Sequence, residues 1–276
     1  MSTPESPPPL VGLGRGEGFR AARPPPPNPV PHGEGESGVD AAELVRLVLA
    51  GRALPSAWIP HITELHLERT RIADLRPLAA LTSLGRLVIS HTLVSDMTPL
   101  AALTGLRRLE ATRSRIADVT ALALLTQLQS VHLSFTPVHD LRPLAALDRL
   151  EGCFLTGTLV EDASPLAGLR RLERLDLGDT AVADATPLQR LTMLRSLDLS
   201  GTRISDLAPL SALTRLQYLD LTGTAVSDLS PLRALTDLRR LDLRSTRADP
   251  SVLAHLPHCQ FVTTALRARR RLPTTR

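Results

Sequence analysis

The chain has 276 residues, of which 43% are hydrophobic but only 2% aromatic, so it can bury a large core that leucine must fill. Its 32 basic residues are all arginine, and five of them with no acid fall in the last 16 residues; since the net charge is +4, residues 1–260 sum to −1. Two cysteines exclude a disulfide framework, and the lack of a long apolar stretch free of charge and proline excludes membrane-spanning helices.

The N-terminal segment, residues 1–38, is rich in proline, glycine and serine. Such a composition buries too little apolar surface to offset the entropy of ordering, which predicts a disordered tail. It contains no charged stretch followed by an apolar run, so no secretory signal is recognised. We therefore expect a cytoplasmic protein, with export by another route left open.

Residues 39–60 are predicted to form a helical cap. Asp40 would cap a short amphipathic helix that ends near Gly51. Trp58 would join the apolar side of this helix, where the cap covers the open end of the first repeat and so protects a sheet edge from solvent.

A 22-residue period follows, without any insertion. A hydroxyl residue recurs in nine successive units, at Thr70, Thr92, Ser114, Thr136, Thr158, Thr180, Thr202, Thr224 and Thr246. Eight units carry an aspartate four residues later, at Asp74, Asp96, Asp118, Asp140, Asp162, Asp184, Asp206 and Asp228. Seven carry Pro-Leu three residues further on. A fixed period of this length indicates a repeat architecture.

Each unit combines a strand pattern with a pattern of short helical turns. Residues 197–200, Leu-Asp-Leu-Ser, alternate apolar and polar side chains, which is typical of a strand with one buried face. Leu207, Leu210 and Leu213 are spaced by three and so share one side of a 3₁₀ or α turn. Because a single unit has nothing to bury these faces against, the units must stack into a solenoid.

The pattern LxxLxLxxTxIxDLxPLxxLTxL resembles the 22-residue leucine-rich repeat of the bacterial internalin type, with threonine where that family usually has asparagine. The resemblance covers about residues 62–259. It implies an α/β solenoid: a right-handed leucine-rich repeat superhelix with a parallel concave β-sheet and short 3₁₀ or α turns on the convex side. The nine units occupy residues 61–248. Ala111, Ala121 and Cys153 depart from the pattern and predict a slightly looser third to fifth repeat.

Two polar columns of the repeat receive structural interpretations. The hydroxyl column lies where the chain leaves the strand, and a hydroxyl can donate and accept, so we expect it to bridge successive turns. The aspartate column suits bonding to nearby backbone amides in a tight turn, an interpretation we prefer to a metal or catalytic series. Hydroxyl residues directly before the proline position are predicted helix N-caps, at Thr98, Thr120, Ser164, Thr186 and Ser230.

The candidate binding residues lie between the strand leucines, where side chains point out from the concave sheet. One such column ends in four aspartates, Asp176, Asp198, Asp220 and Asp242. Since strands lie about 4.8 Å apart, these form a stripe of roughly 15 Å. Two interpretations are open: the stripe is an acidic face for a basic partner, or the aspartates only keep the exposed side of each strand soluble.

An aromatic patch lies upstream of this stripe. His132, Phe135 and Phe154 all fall at outward positions, and Tyr218 faces out further along. Exposed aromatic clusters are typical of protein interfaces, so these residues are predicted partner contacts together with the acidic stripe. The alternative for Phe135 is that it folds over the strand edge to plug the looser repeats around Cys153.

The repeat pattern decays near the C-terminus. Ala248 and Pro250 stand where other units have Ile or Val and Asp, and Leu253 and Phe261 are predicted to close the last turn within a cap, residues 249–266. Residues 267–276 form an arginine-rich tail, interpreted as a solvated end. Binding of nucleic acid or an anionic surface through this tail is the weaker alternative.

No catalytic, cofactor or metal site is predicted. His66 and His132 lie three units apart, no serine has a histidine and an acid placed beside it by register, and no glycine loop could hold a phosphate. We therefore expect a non-enzymatic interaction module that binds a protein partner, without cofactor or small-molecule substrate. An effector or enzyme-accessory protein is the alternative.

Overall fold

The computed structural model describes residues 40–264. The predicted N-terminal tail and the arginine-rich tail lie outside the described residues, as do the last two positions of the predicted C-terminal cap.

A short helix, α1 (Ala41–Leu49), precedes the repeats, followed by a 3₁₀ turn at Ile59–His61. Asp40 caps α1 as predicted, because its Oδ1 accepts the N–H groups of Ala42 at 2.9 Å and Glu43 at 3.3 Å. Leu44 and Val48 lie one helical turn apart and are buried in the core that continues into the first repeat, and Trp58 packs against the same core. The cap thus covers the apolar end of the solenoid.

Ten short parallel strands in the described part of the chain form one sheet, in which each strand pairs with the next along the sequence. From β1 to β9 each residue pairs with the residue 22 positions later, for example Leu197 with Leu219. The strands are β1 (Glu64–His66), β2 (Arg86–Val88), β3 (Arg108–Glu110), β4 (Ser130–His132), β5 (Gly152–Phe154), β6 (Arg174–Asp176), β7 (Ser196–Asp198), β8 (Tyr218–Asp220), β9 (Arg240–Asp242) and β10 (Gln260–Val262). The last strand lies in the predicted C-terminal cap and extends the sheet beyond the nine units.

Short 3₁₀ turns lie opposite the sheet. They span Arg76–Leu78, Thr98–Ala102, Thr120–Leu124, Arg142–Ala146, Ser164–Gly168, Thr186–Arg190, Ala208–Ala212, Ser230–Ala234 and Pro250–Leu253. The leucine after each proline position, such as Leu210, is fully buried between the turns and the sheet. This is the predicted right-handed leucine-rich repeat superhelix with a concave parallel sheet.

The third to fifth repeats keep the geometry of the others. Ala111 and Cys153 are both 0% exposed, and β3, β4 and β5 pair in unbroken register. The smaller side chains therefore leave the strands in place, and these repeats are not looser than the others in burial or register.

The hydroxyl column acts within each unit, so the prediction that it bridges successive turns is wrong. Thr202 Oγ1 donates to the carbonyl of Leu199 at 2.5 Å, and Ser114 Oγ donates to that of Ala111 at 2.7 Å. The chain bends inward directly after the strand, which brings this carbonyl to the hydroxyl three residues later. Backbone groups make the bonds between units, as where the N–H of Gly201 donates to the carbonyl of Thr222 at 2.7 Å.

The aspartate column stabilises the turns, as predicted. In all eight units the carboxylate accepts the backbone N–H two residues later, as Asp206 does from Ala208 at 2.8 Å. The prediction that hydroxyl residues such as Thr98 are N-caps is wrong. Thr98 is the first residue of its 3₁₀ turn and donates its N–H to Asp96, so the aspartate satisfies the end of the turn.

Candidate functional site

The rings of His132 and Phe154 stack on the concave face of the sheet, away from the leucine core. The register of β4 and β5 pairs these two residues, and their ring centroids lie 4.1 Å apart with planes 16° from parallel. Gly152 leaves room for the stack, because a Cβ there would lie 3.1 Å from Cε2 of Phe154 and 3.2 Å from Oγ of Ser130. A glycine inside a strand is the sequence signal that the aromatic prediction did not use. We call the two rings the aromatic stack.

Polar groups surround the aromatic stack. Ser130 Oγ lies 3.1 Å from Nε2 of His132, and the guanidinium carbon of Arg174 lies 5.9 Å from the centroid of Phe154. Burial lowers the pKa of His132 to about 4, although the nearby Glu110 carboxylate acts in the opposite direction. The imidazole is therefore neutral near pH 7, which makes the centre of the sheet an uncharged platform within a rim of arginines.

The four aspartates of the stripe follow on neighbouring strands, but three of them are covered. Asp198 is 8% exposed, Asp220 2% and Asp242 0%, so the exposed acidic stripe expected from the Leu-Asp-Leu pattern is not present. The physical reason is a local bond: the N–H two residues later donates to each carboxylate, as from Ser200 to Asp198 at 2.8 Å. The sequence signal for this bond is an aspartate at the end of a strand, two residues before the amide that donates to it. A role of these residues in partner binding stays a prediction.

Burial changes the proton affinity of this stripe. It raises the pKa of Asp198 to about 7, with the neighbouring Asp176 carboxylate adding to the effect. Burial also raises the pKa of Asp176 and of Asp220. For Asp242, burial acts in the same direction, but hydrogen bonds from Arg244 and Thr222 outweigh it and lower the pKa. The stripe is thus less negative than four isolated carboxylates.

The other two predicted aromatic contacts lie apart from the stack. Phe135 is 45% exposed and lies in the turn after β4 with a φ of 58°, where Arg113 covers its ring at 4.6 Å. The ring lies against Gly157, in the same unit as Cys153, since a Cβ on Gly157 would fall 2.6 Å from Cδ1 of Phe135. Tyr218, 38% exposed, begins β8 on the side of the acidic stripe. Phe135 at the sheet edge and Tyr218 are therefore separate from the aromatic stack at the centre of the sheet.

The described residues hold little that points to covalent chemistry. Burial raises the pKa of the Cys153 thiol to about 12 and that of Cys259 to about 11, which leaves both sulfurs protonated and weakly nucleophilic. Within residues 40–264, no three His, Cys, Asp or Glu side chains are placed to hold a metal ion. None of the helices described there has the length and apolarity needed to cross a membrane.

Part of the repeat region is similar in sequence to a known family. Residues 192–234 match the family model described as Leucine Rich repeats (2 copies). A search of curated proteins finds no match.

Solved structures give a fuller comparison. An internalin (inlF) from Listeria monocytogenes is 29% identical with a TM-score of 0.75, over 80% of this chain and 67% of that one. A plant structure shares the fold: the leucine-rich repeat ectodomain of the receptor kinase GASSHO1/SCHENGEN3 from Arabidopsis thaliana, in complex with CASPARIAN STRIP INTEGRITY FACTOR 2. It is 18% identical to this chain with a TM-score of 0.66, over 76% of this chain and 28% of that one. An internalin C2 (inlC2) from Listeria monocytogenes is 30% identical with a TM-score of 0.66, over 73% of this chain and 91% of that one. The chain therefore belongs to the internalin family of leucine-rich repeat proteins.

Proposed function

We propose that this protein is a non-enzymatic binding module that holds a protein partner on its concave sheet, centred on the aromatic stack. The observation that carries the proposal is the pair of half-buried rings of His132 and Phe154 on the outer side of the sheet. Partly exposed aromatic rings within a polar rim are characteristic of interface hot spots. The shared fold of a plant receptor ectodomain solved with its ligand supports binding by this architecture.

The surroundings of the stack define the chemistry of the contact. Arg174 extends beside Phe154, and Glu110 pairs with Arg86 at 2.9 Å on the preceding strands. A partner would cover the rings with an apolar or aromatic side chain, and would place polar groups over the arginines at the rim. Because His132 is neutral, no counter-charge is needed at the centre.

The test is capture of a partner from a lysate of the source organism by the full chain and by surface variants. We expect Phe154→Ser and Arg174→Glu to reduce capture by about 10-fold or more, as hot-spot losses do. Leu124→Ser is the matched control, because Leu124 is 60% exposed on the convex side. All three variants should show the wild-type thermal unfolding temperature within a few degrees.

Two results would contradict the proposal. One is equal capture by the wild type and by both concave variants. The other is loss of capture only in Leu124→Ser, which would assign the contact to the convex side.

A further inference from the structure

A second surface lies along the edge where the chain leaves the strands. In each unit one residue there has a left-handed backbone, and in units one to five the residue two positions later is exposed. In units one to five these are Arg69 and Arg71, His91 and Leu93, Arg113 and Arg115, Phe135 and Pro137, and Gly157 and Leu159. We call these two columns the turn edge.

Backbone bonds hold the turn edge rigid. The N–H of Arg69 donates to the carbonyl of Ser90 at 2.9 Å, and the same bond recurs one unit later from His91 to Thr112 at 2.8 Å. The second column is bonded in the reverse direction, with Arg115 donating to Val94 at 2.8 Å. Side chains on this edge therefore repeat at the strand spacing of about 4.8 Å.

The first three units make this edge basic. Arg69, Arg71, Arg113 and Arg115 are exposed, and in the part of the chain that the structure describes none of them lies within 4.0 Å of a carboxylate. Exposed His91 lies between them. The acids nearest to these arginines along the chain are Glu68, Asp74, Glu110 and Asp118. Asp74 and Asp118 accept N–H groups at the convex turns, and Glu110 pairs with Arg86 at 2.9 Å. The arginines thus remain available for an anionic partner.

The next two units make the same edge apolar. Phe135 is 45% exposed and Leu159 61%, and Pro137 is exposed beside them. Phe135 occupies the left-handed position at φ 58°, where three of the equivalent residues, Gly157, Gly201 and Gly223, are glycine. A bulky side chain does not favour this backbone, so the turn itself gains nothing from phenylalanine, and the ring matters for the surface that it offers.

We propose that the turn edge of units one to five binds an extended acidic segment of a partner protein whose apolar side chains follow the acidic run. Four steps of about 4.8 Å span about 19 Å, the length of roughly six residues of extended peptide. The acidic part would pair with the arginines, and the apolar part would cover Phe135 and Leu159. This surface is separate from the aromatic stack, so the two sites can be tested independently.

The ring of Phe135 distinguishes a peptide from a nucleic acid. Single strands bind through bases that stack on open aromatic faces. Here Arg113 covers the ring at 4.6 Å and Gly157 lies against its edge. Leu159 and Pro137 offer aliphatic surface, which favours apolar side chains over bases.

The probe is a fluorescein-labelled peptide with a run of glutamates followed by Leu-Pro-Leu, titrated with the full chain at low salt, where screening is weak. We expect saturable binding, seen as a rise in anisotropy. The double variant Arg71→Glu with Arg115→Glu should weaken it by about 10-fold or more, since like charges then oppose the peptide. The matched control is Arg203→Glu with Arg247→Glu, which changes the same column and the same net charge outside the five units and should change binding less than about 2-fold.

The apolar part has its own matched pair. Leu159→Ser should weaken binding of the peptide, whereas Leu124→Ser, at a residue 60% exposed on the convex side, should not. A peptide with glutamine in place of glutamate should lose binding, and Phe154→Ser should bind the acidic peptide as the wild type does. The last result keeps this site distinguishable from the concave one.

The proposal is overturned by no detectable binding up to about 1 mM peptide, or by equal losses in the two arginine double variants. Tighter binding of an oligothymidylate or of phosphatidylserine vesicles than of the peptide, with the same dependence on Arg71 and Arg115, would also overturn it and assign the edge to that ligand.

Discussion

The pKa of aspartate shifts in opposite directions on the two sides of this molecule. On the convex side, hydrogen bonds from Arg142 lower the pKa of Asp140 to about 2. On the concave side, burial raises the pKa of Asp198 to about 7. Both carboxylates accept an N–H two residues later, so the difference comes from the side-chain bonds that Arg142 donates to Asp140 and from the burial of Asp198.

Asp198 and His132 act on stability in opposite directions. Folded Asp198 binds its proton up to about pH 7 instead of 3.8, so the free energy of unfolding falls as the pH rises between these values. Folded His132 resists protonation down to about pH 4 instead of 6.5, so the free energy of unfolding rises over that interval. The two contributions oppose each other between about pH 4 and 6.5.

Replacing the buried carboxylate should reveal this balance. Asp198→Asn keeps an acceptor for the N–H of Ser200 but has no charge to bury. The variant should match the wild type near pH 4 and become more stable than it above pH 7, by at most about 4 kcal/mol, the equivalent of the pKa change. Urea unfolding at several pH values measures the difference.

Asp228→Asn is the control for this titration. Hydrogen bonds from Ser230 lower the pKa of Asp228, so the stability that this carboxylate contributes is lost only as the pH falls below 3.8. Its difference from the wild type should therefore stay constant from pH 5 to 8. A constant difference for Asp198→Asn as well would contradict the burial of that charge.

The 3₁₀ turns depend on an aspartate that precedes them. In the turn at Ala208–Ala212 the cap position, Leu207, makes no side-chain bond, while Asp206 accepts the N–H of Ala208 at 2.8 Å. The repeated unit is thus held at two points: by this carboxylate and by Thr202, which donates to Leu199. Each element is short, so these few bonds determine where the chain turns.

Removing that carboxylate should cost about 0.5–2 kcal/mol, as for other N-terminal caps. Asp206→Ala leaves the N–H of Ala208 without its acceptor, whereas Asp206→Asn retains one. We expect the alanine variant to unfold at a clearly lower temperature than the asparagine variant in thermal denaturation. Equal unfolding temperatures for the two would show that the hydrogen bond contributes nothing to stability.

The whole solenoid is stabilised through neighbouring units. Every strand pairs only with the strands before and after it in sequence, and the buried leucines form one continuous core from the cap to Leu256. The stability of such an array is close to the sum of its units and of the interfaces between them. The ends are therefore the vulnerable part, and α1 and β10 cover them.

Deleting one complete unit should preserve the fold. Without residues 194–215, the strand before the deletion would meet the next strand in the same register, because the period is 22 residues. We expect a folded, monodisperse chain of lower stability in circular dichroism and gel filtration. Deleting only residues 194–204 removes a strand but leaves its 3₁₀ turn, and should unfold or aggregate the protein. Equal behaviour of the two deletions would contradict the modular account.

The sequence by itself determined the architecture, because a 22-residue period with alternating leucines allows only stacked units with their leucines inside. The same register brought His132 beside Phe154, since equivalent residues of neighbouring units must pair. Only the tertiary structure decided which outward side chains meet solvent. Asp198, Asp220 and Asp242 fold down onto backbone amides, and Phe135 leaves the sheet at a left-handed turn. These outcomes depend on local bonds and backbone angles, which the alternation of apolar and polar residues does not encode.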